Sequence, residues 1–483
     1  MAPEDSRPRD GGSGLSSVRD IHLTAIGGVG MTALAGLLCS LGHRVRGSDL
    51  EVYPPASEEL ARLGVDVARG YRGENLNPRP DLVVMGNAIS RDNPEAIAAR
   101  EADIETLSMP QALARFCLPE RVPLVLAGTH GKTTSSTFLA WVLQQAGRNP
   151  GWFIGGAPLD LPGPCAIGTG SPFVLEGDEY DSAYFDKGPK FLHYQPQGVV
   201  LTSVEFDHAD IYRDLAHVQS SFADLLALLS DEAPLVVSAD YPAGIEVAQA
   251  SGHDFVSFAE GAPADWQISG LADGPEGLRF RAEGPGESID FVTPMLGAMN
   301  ARNLLGVALL ARAFDVSTDV ICEAAASFHG VRRRQEVVVD GSITLVDDFA
   351  HHPTSIALAL AAVRSRFPDR RHWALFDPRS NTTRRSIFQN EITQSLAGAD
   401  CVCIGPVNRP ELLADDERFS PETAIEQLEA RGAKGFVCKD PDEIYDHLRQ
   451  EVREGDVVTI LSNGAFGGLR QRLAEWLGET DGA

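Results

Sequence analysis

No run of apolar residues in this sequence is long enough to span a bilayer, and no leader with a charged start and an apolar centre opens it. A membrane protein or a secreted one is therefore not expected. Positive charge is scarce. The chain carries 41 Lys and Arg against 68 Asp and Glu, a net charge of −27, which argues against a general binder of nucleic acid or of anionic membranes. Any anionic substrate must be gripped by locally clustered arginines, lysines and backbone amides. Cysteines number seven, odd and widely scattered, which points to the reducing cytoplasm. Cys401 and Cys403 share one side of a predicted strand, ordinary core usage, and Cys438 is the only other thiol nearby for a metal. Internal repeats are absent, and the one low-complexity segment is residues 1–18, polar and aperiodic, which read as a disordered tail.

What is present is enough apolar material for a large soluble protein. With 483 residues, 43% of them hydrophobic, about three domains are expected. The most informative stretch is Val122-Pro-Leu-Val-Leu-Ala-Gly-Thr-His-Gly-Lys-Thr-Thr134. Val122 to Ala127 reads as a buried strand, and a helical pattern begins at about Thr133. Strand, glycine-rich loop and helix N-terminus make a phosphate cradle, running from Gly128 through Thr129, His130 and Gly131 to Lys132, Thr133 and Thr134. Lys132 falls on the outer phosphates and the Thr133 hydroxyl on a magnesium ion. The usual spacing wants a glycine at Leu126, and Gly128 comes two residues later. A nucleoside triphosphate site is expected here.

A second glycine-rich loop lies nearer the start. The strand Ile21–Ile26 runs into Gly27-Gly-Val-Gly-Met31 and an apolar helix, and the next strand ends in Asp49. Gly28-x-Gly30-x-x-Ala33, with an acidic residue about 20 positions on, satisfies the dinucleotide fingerprint. Taken alone it suggests a nicotinamide or flavin enzyme. Further along, Phe173–Glu176 and Gly198–Ser203 read as buried strands that run into Glu176-Gly-Asp-Glu-Tyr-Asp181 and Val204-Glu-Phe-Asp-His-Ala-Asp210. Both put carboxylates, and in one case His208, where a magnesium nucleotide needs oxygen ligands. Residues 250–292 suggest short antiparallel strands, and after Arg332-Arg-Arg334 a third α/β pattern begins at Ile343. The expected division is a tail over 1–18, a Rossmann-like domain over 19–117, a central P-loop domain with a mostly parallel sheet over 118–334, and a Rossmann-like domain over 335–483.

The two glycine-rich loops, the Ala127-Gly-Thr-His-Gly-Lys-Thr-Thr134 motif and Asp347-Asp-Phe-Ala-His-His-Pro353 together resemble the Mur ligase family. The resemblance runs from Ile21 to Leu477. It implies an ATP-dependent, amide-forming cytoplasmic enzyme of cell-wall peptidoglycan assembly and recycling, serving cell shape and division. Val52-Tyr-Pro-Pro55, Gly86-Asn-Ala-Ile-Ser-Arg-Asp-Asn-Pro94, Pro378-Arg-Ser-Asn-Thr382 and Ser462-Asn-Gly-Ala-Phe-Gly-Gly468 narrow it to members that join UDP-N-acetylmuramate to the tripeptide L-alanyl-γ-D-glutamyl-meso-diaminopimelate. Members that add free L-alanine are the alternative. The first loop is thereby reassigned: Gly28, Val29, Gly30 and Met31 would cradle the diphosphate of a UDP-sugar, with Ser48, Asp49 and Asn87 close by.

By the same resemblance, Lys132 and magnesium neutralise the transferring phosphoryl group, Thr133 and Glu176 hold that metal, and His208 would hold a second magnesium. Asn300 matches an adenine-contacting asparagine and Arg334 a phosphate-contacting arginine. Asp348 and His351 would approach the nucleotide and an acyl phosphate. Arg379, beside Ser380 and Asn381, could pair bidentately with a free carboxylate of the acceptor. Arg332 and Arg333 are left unassigned. Two departures stand out: Met299 replaces the family's usual histidine before Asn300, and residues 209–227 contain no lysine that could be carbamylated.

Overall fold

Apolar runs alternating with helical patterns call for parallel sheets covered by helices, and three sheets form among the described residues. The structure is a computed structural model that describes residues 19–274 and 277–480. The tail expected over residues 1–18 lies outside the described residues. Internal contacts divide the chain into two compact units. One holds the first sheet, up to Ala112 and with Ala183–Phe185, and the other holds the two later sheets.

The first sheet is entirely parallel, in the order Asp66–Arg69, Arg44–Asp49, Asp20–Thr24, Leu82–Met85, Thr106–Ser108. Leu82–Met85 is buried along its length, as expected of a strand covered on both faces. The chain moves outward from Asp20–Thr24 to one edge and then returns to its other side. Gly27–Met31 therefore lies at the point where the strand order reverses, the ligand position of open α/β sheets.

The second sheet has ten strands among the described residues. Its centre is Val122–Ala127, with Pro172–Gly177 on one side and Gly198–Leu201 on the other, all parallel. Their three following loops consequently emerge at one end of the sheet. The expected antiparallel strands are Trp266–Gly274, Gly277–Gly284 and Glu287–Thr293. The helix Lys132–Gln145 is buried on nearly every face, against the sheet and the helix Gly297–Ala313. Phe138 on it is fully buried, 5.1 Å from the Phe328 ring, a burial that contributes about 1.5–3 kcal/mol.

The third sheet runs Glu336–Asp340, Thr344–Asp348, Val457–Leu461, His372–Phe376, Cys401–Ile404, Lys434–Val437, with only the first strand antiparallel. Cys401, Cys403 and Cys438 sit in its apolar core. Three α/β domains result.

Candidate active site

Gly128 and Gly131 shape the loop after Val122–Ala127. Gly128 has φ +140°, and a Cβ there would lie 2.3 Å from Thr202 Oγ1 and 2.8 Å from the Ser203 backbone. Gly131 has φ +83°, and its Cβ would meet Asn303 Oδ1 at 2.4 Å. Only glycine fits either place. The first helical bond runs from Ser135 N–H to Gly131 O, so the amides of Lys132, Thr133 and Thr134 have no helical partner and can face an anion. Thr129 and His130 are different. Their amides donate to Ser203 O at 3.0 Å and Ser203 Oγ at 2.7 Å, which narrows the cradle to its C-terminal half.

Carboxylates from the neighbouring strand close round this helix start. Thr133 Oγ1 donates to Glu176 Oε1 at 2.8 Å, and the Gly155 amide donates to the other oxygen at 2.7 Å. Lys132 Nζ donates to Gly128 O at 2.8 Å and to Glu179 Oε2 at 2.7 Å. The second Glu179 oxygen is buried without a hydrogen-bond partner, 3.4 Å from His208 Nε2. Thr133 and Glu176 are thus brought together as expected, whereas His208 reaches them through Glu179. Lys190 adds a second ammonium, 2.8 Å from Asp178 and 3.9 Å above the Tyr180 ring. Neither Glu179 nor Lys190 was singled out by the sequence reading.

Two buried carboxylates, Glu176 and Glu179, and the half-buried Asp178 face two ammonium groups. Burial and then the charge of Asp178 raise the Glu176 pKa. Burial works against the Lys132 charge, but Glu179, Asp178 and Glu176 outweigh it and raise that pKa too. For His208, burial is likewise overcome by Glu179, and the pKa is raised. The surplus of negative charge, and a Glu179 oxygen held only by the 3.4 Å contact with His208, fit a divalent cation held by oxygen and imidazole donors.

The third domain and the bend before it supply the other side of the site. Arg334 Nη2 lies 3.3 Å from Thr133 Oγ1, over the Phe349 ring at 4.7 Å. Asp348 accepts from Gln335 N at 2.9 Å and Ala350 N at 2.6 Å, and burial lifts its pKa to about 6 despite Arg334. His351 Nδ1 bonds Phe349 O at 3.0 Å, and burial lowers its pKa. Asn300 Nδ2 donates to Leu296 O at 2.8 Å and Gln335 Oε1 at 3.1 Å. Asn303, one turn further, is the residue against Gly131, and only its place in the same motif hints at this. Of the two unassigned arginines, Arg333 reaches Ser462 O at 2.6 Å and Gly464 O at 2.8 Å. Arg332 makes an exposed pair with Glu336.

At the ends of His372–Phe376 and Cys401–Ile404 lies a cavity of about 220 Å³ lined by Asp377, Arg379, Asn408, Arg409, Pro441 and Phe466. The Arg379 guanidinium lies against Gly464, where a Cβ would come within 2.0 Å of Nη1. Ser380 and Asn381 point elsewhere: Ser380 Oγ pairs with Thr383 Oγ1 at 2.9 Å, and Asn381 Nδ2 donates to Asp210 Oδ2 at 2.6 Å. Arg409 is the second arginine of the cavity, a residue the sequence reading passed over.

The first glycine-rich loop is built more simply. Thr32 N–H makes the first helical bond, to Gly28 O, which leaves the amides of Val29, Gly30 and Met31 facing outward from the helix start. Met31 itself is buried, so it offers its backbone alone. Asp49 Oδ2 accepts from Gly27 N at 2.8 Å and fixes the loop. Asn87 is exposed in the loop after Leu82–Met85. Ser48 is fully buried, its hydroxyl donating to Glu95 Oε2 at 2.6 Å, so its side chain is occupied inside the domain.

Comparison with known proteins agrees along the chain. The models for "Mur ligase family, catalytic domain", "Mur ligase middle domain" and "Mur ligase, glutamate ligase domain" match residues 20–121, 126–311 and 333–464. The chain is 35% identical over 460 residues to the UDP-N-acetylmuramate–L-alanyl-gamma-D-glutamyl-meso-2,6-diaminoheptandioate ligase of Escherichia coli K12, covering 95% of this chain and 98% of that one. It is 32% identical over 476 residues to the UDP-N-acetylmuramate–L-alanine ligase of Syntrophotalea carbinolica, covering 96% and 99%. The crystal structure of a murein peptide ligase from Psychrobacter arcticus superposes with a TM-score of 0.71 at 32% identity, covering 95% and 99%.

Proposed function

The chain belongs to the Mur ligase family, and we propose that it joins the carboxylate of UDP-N-acetylmuramate to the amine of L-alanyl-γ-D-glutamyl-meso-diaminopimelate at the expense of ATP. The observation that carries this reading is the meeting of Lys132, Glu176, Glu179 and His208 at three adjacent parallel strand ends, with Arg334 and Asp348 beside them. A carboxylate is a poor acyl donor. It attacks the γ-phosphorus of ATP, the bond to the β–γ bridging oxygen breaks, and ADP leaves. The peptide amine then attacks the acyl phosphate carbon, phosphate departs, and the amine gives up a proton.

Two anions meet in the first step, and Lys132 and Arg334 supply positive charge already in place. In the free enzyme Glu179 neutralises Lys132, which exchanges that partner for a phosphate oxygen when ATP arrives. Thr133, Glu176 and His208 would hold magnesium, whose Lewis acidity draws charge off the phosphates. His351 donates from Nδ1 to Phe349 O and is kept neutral by burial. Its Nε2 is our candidate acceptor for the amine proton.

Gly28 to Met31, with Asp49 and Asn87, are assigned to the UDP-sugar, and Gly131 to Thr134 with Asn300 and Asp348 to ATP. The acceptor is assigned to the cavity of Arg379. The tripeptide carries three free carboxylates, and a cavity with both Arg379 and Arg409 suits it better than alanine, which has one. Domain borders near Cys117 and Arg334, and the cytoplasm as the compartment of both nucleotide substrates, belong to the same proposal. Among the described residues no helix is long and apolar enough to cross a membrane.

The test is phosphate release with ATP, Mg²⁺ and UDP-N-acetylmuramate, adding alanine or the tripeptide in turn. Acceleration by the tripeptide is expected. Acceleration by alanine alone would assign the chain to the L-alanine ligases instead, and no release with either would sink the ligase reading.

A further inference from the structure

Two histidines and a glutamate gather where the helix Pro353–Arg366 docks on the phosphate loop, outside the reacting cluster. His130 Nε2 lies 2.8 Å from Glu205 Oε2, and Thr354 Oγ1 donates to Glu205 Oε1 at 2.9 Å. His130 Nδ1 is 3.1 Å from Ser355 Oγ. The His352 ring lies 4.5 Å from that of His130, donates from Nε2 to Phe206 O at 3.1 Å and accepts the Thr354 amide on Nδ1 at 3.3 Å. Glu205 is also tied to the loop by its backbone: its amide donates to Thr129 Oγ1 at 2.9 Å, and that hydroxyl donates to Glu205 O at 3.2 Å.

By residue type, His130, Glu205 and His352 could hold a transition metal, since a ligand atom from each falls within 4.8 Å of the others. The hydrogen bonds argue otherwise. Three of the four ring nitrogens are bonded, and the fourth makes the close contact with Glu205. With Nε2 donating and Nδ1 accepting, His352 is held as one neutral tautomer. An ion would have to break the bond to Phe206 or the cap on the helix. A group that satisfies itself across two domains works as a clasp.

Every central-domain member of this clasp sits on or beside the phosphate loop, and every other member sits at the start of one third-domain helix. We propose that Glu205 is a positioning residue through which docking of the Pro353–Arg366 helix sets the shape of the phosphate loop, and with it the affinity for ATP. This rests on the ligase reading only in taking ATP as the ligand of that loop. Linkage makes the effect reciprocal: ATP favours docking as much as docking favours ATP.

The test uses Thr354→Val, which removes the helix's hold on Glu205 from a residue assigned to no substrate. The KM for ATP in phosphate release, and the Kd for a non-hydrolysable ATP analogue with Mg²⁺ by titration calorimetry, should both rise about fivefold or more. The KM for UDP-N-acetylmuramate should not change. Glu205→Gln should do the same, the double variant should be no worse than the poorer single one, and Thr354→Ser should restore wild-type values. Unchanged ATP parameters with only a lower Tm would overturn the proposal, and so would additive effects in the double variant. Loss of analogue affinity on chelation, restored by Zn²⁺ at constant Mg²⁺, would overturn it in favour of a metal site. The calorimetric arm needs no acceptor and no UDP-sugar. The ligase reading fails separately, if wild-type protein releases no phosphate with the tripeptide.

Discussion

Two strand–glycine loop–helix units, at Gly27–Met31 and Gly128–Thr134, start from the same physics and end in different chemistry. In each, the first helical amides lack partners and offer partial positive charge to an anion. Around the first loop the fixing group is Asp49, which holds the loop's own backbone. Around the second, neighbouring strands deliver Lys132's partner Glu179, the Thr133 partner Glu176, and His208, while Arg334 comes from the bend before the third domain. A cradle of amides suffices to hold a diphosphate. Moving a phosphoryl group needs side-chain charge that can change partners, and the second loop has Lys132, Glu179, His208 and Arg334 gathered round it.

The largest expected effect tests that contrast directly. Lys132→Ala should lower kcat for phosphate release by about 10³-fold or more, the scale of removing a preplaced charge from a transition state. UDP-N-acetylmuramate affinity by calorimetry should be unchanged. If that affinity falls as well, the two loops do not act as separate sites, and the comparison breaks.

The next effect concerns pH, because buried groups beside the second loop are shifted in opposite senses. The His352 pKa is lowered from its ordinary 6.5 to about 4, by burial and then by His130. The unfolded chain takes that proton first, so the stability conferred by the neutral ring is full above pH 6.5 and is lost as pH falls toward 4. Asp348 runs the other way. Its pKa is raised from 3.8 to about 6, so the cost of its buried charge is full above pH 6 and is relieved on acidification. His352→Asn keeps a helix-capping side chain and removes the titration. Thermal melts from pH 7 to 4.5 should therefore show a shallower acid loss for this variant, by up to about 3 kcal/mol, and a steeper one for Asp348→Asn. Parallel curves for all three proteins would remove these two groups from the account.

A third substitution attacks the first loop. A Cβ at Gly27 would lie 3.0 Å from Asp49 Oδ2 and from Val52 Cγ2, so Gly27→Ala should push Asp49 off the loop. The KM for UDP-N-acetylmuramate should rise by roughly tenfold, the worth of one charge-assisted hydrogen bond, with kcat within about twofold of wild type. A fall in kcat at unchanged KM would mean that this loop takes part in chemistry, against the comparison.

The strands around both loops were legible because parallel strands covered on both faces read as continuous apolar runs, as Val122–Ala127 and Leu82–Met85 do. The acids that follow the strand Pro172–Gly177 were legible from the residues only as a group. Glu176, Asp178, Glu179 and Asp181 follow one another in the sequence, and which of them meets Lys132 depends on the turn the backbone takes there. Arg409 was illegible because nothing in its own stretch marks it. It matters only where the ends of His372–Phe376 and Cys401–Ile404 come together. Thr354 and Glu205 are 149 positions apart, and no local pattern announces such a pair.

Ser48 gives the smallest expected effect and the finest test of how the first loop would hold the proposed UDP-sugar. The family resemblance puts it close to the UDP-sugar, yet its hydroxyl is one of four donors on the buried Glu95 carboxylate. Thr24 Oγ1 at 2.8 Å and His22 Nε2 at 3.1 Å share the same oxygen, and Asn75 Nδ2 takes the other at 2.6 Å. Burial works to raise the Glu95 pKa, and the donors His22, Ser48 and Asn75 outweigh it and keep it low. Ser48→Ala removes one donor and leaves three, which should cost about 1 kcal/mol of stability, read as a small drop in Tm. The KM for UDP-N-acetylmuramate should stay at the wild-type value. A higher KM at unchanged Tm would mean that the hydroxyl turns outward when the ligand binds, and the first loop would then hold its substrate with side chains as well as amides.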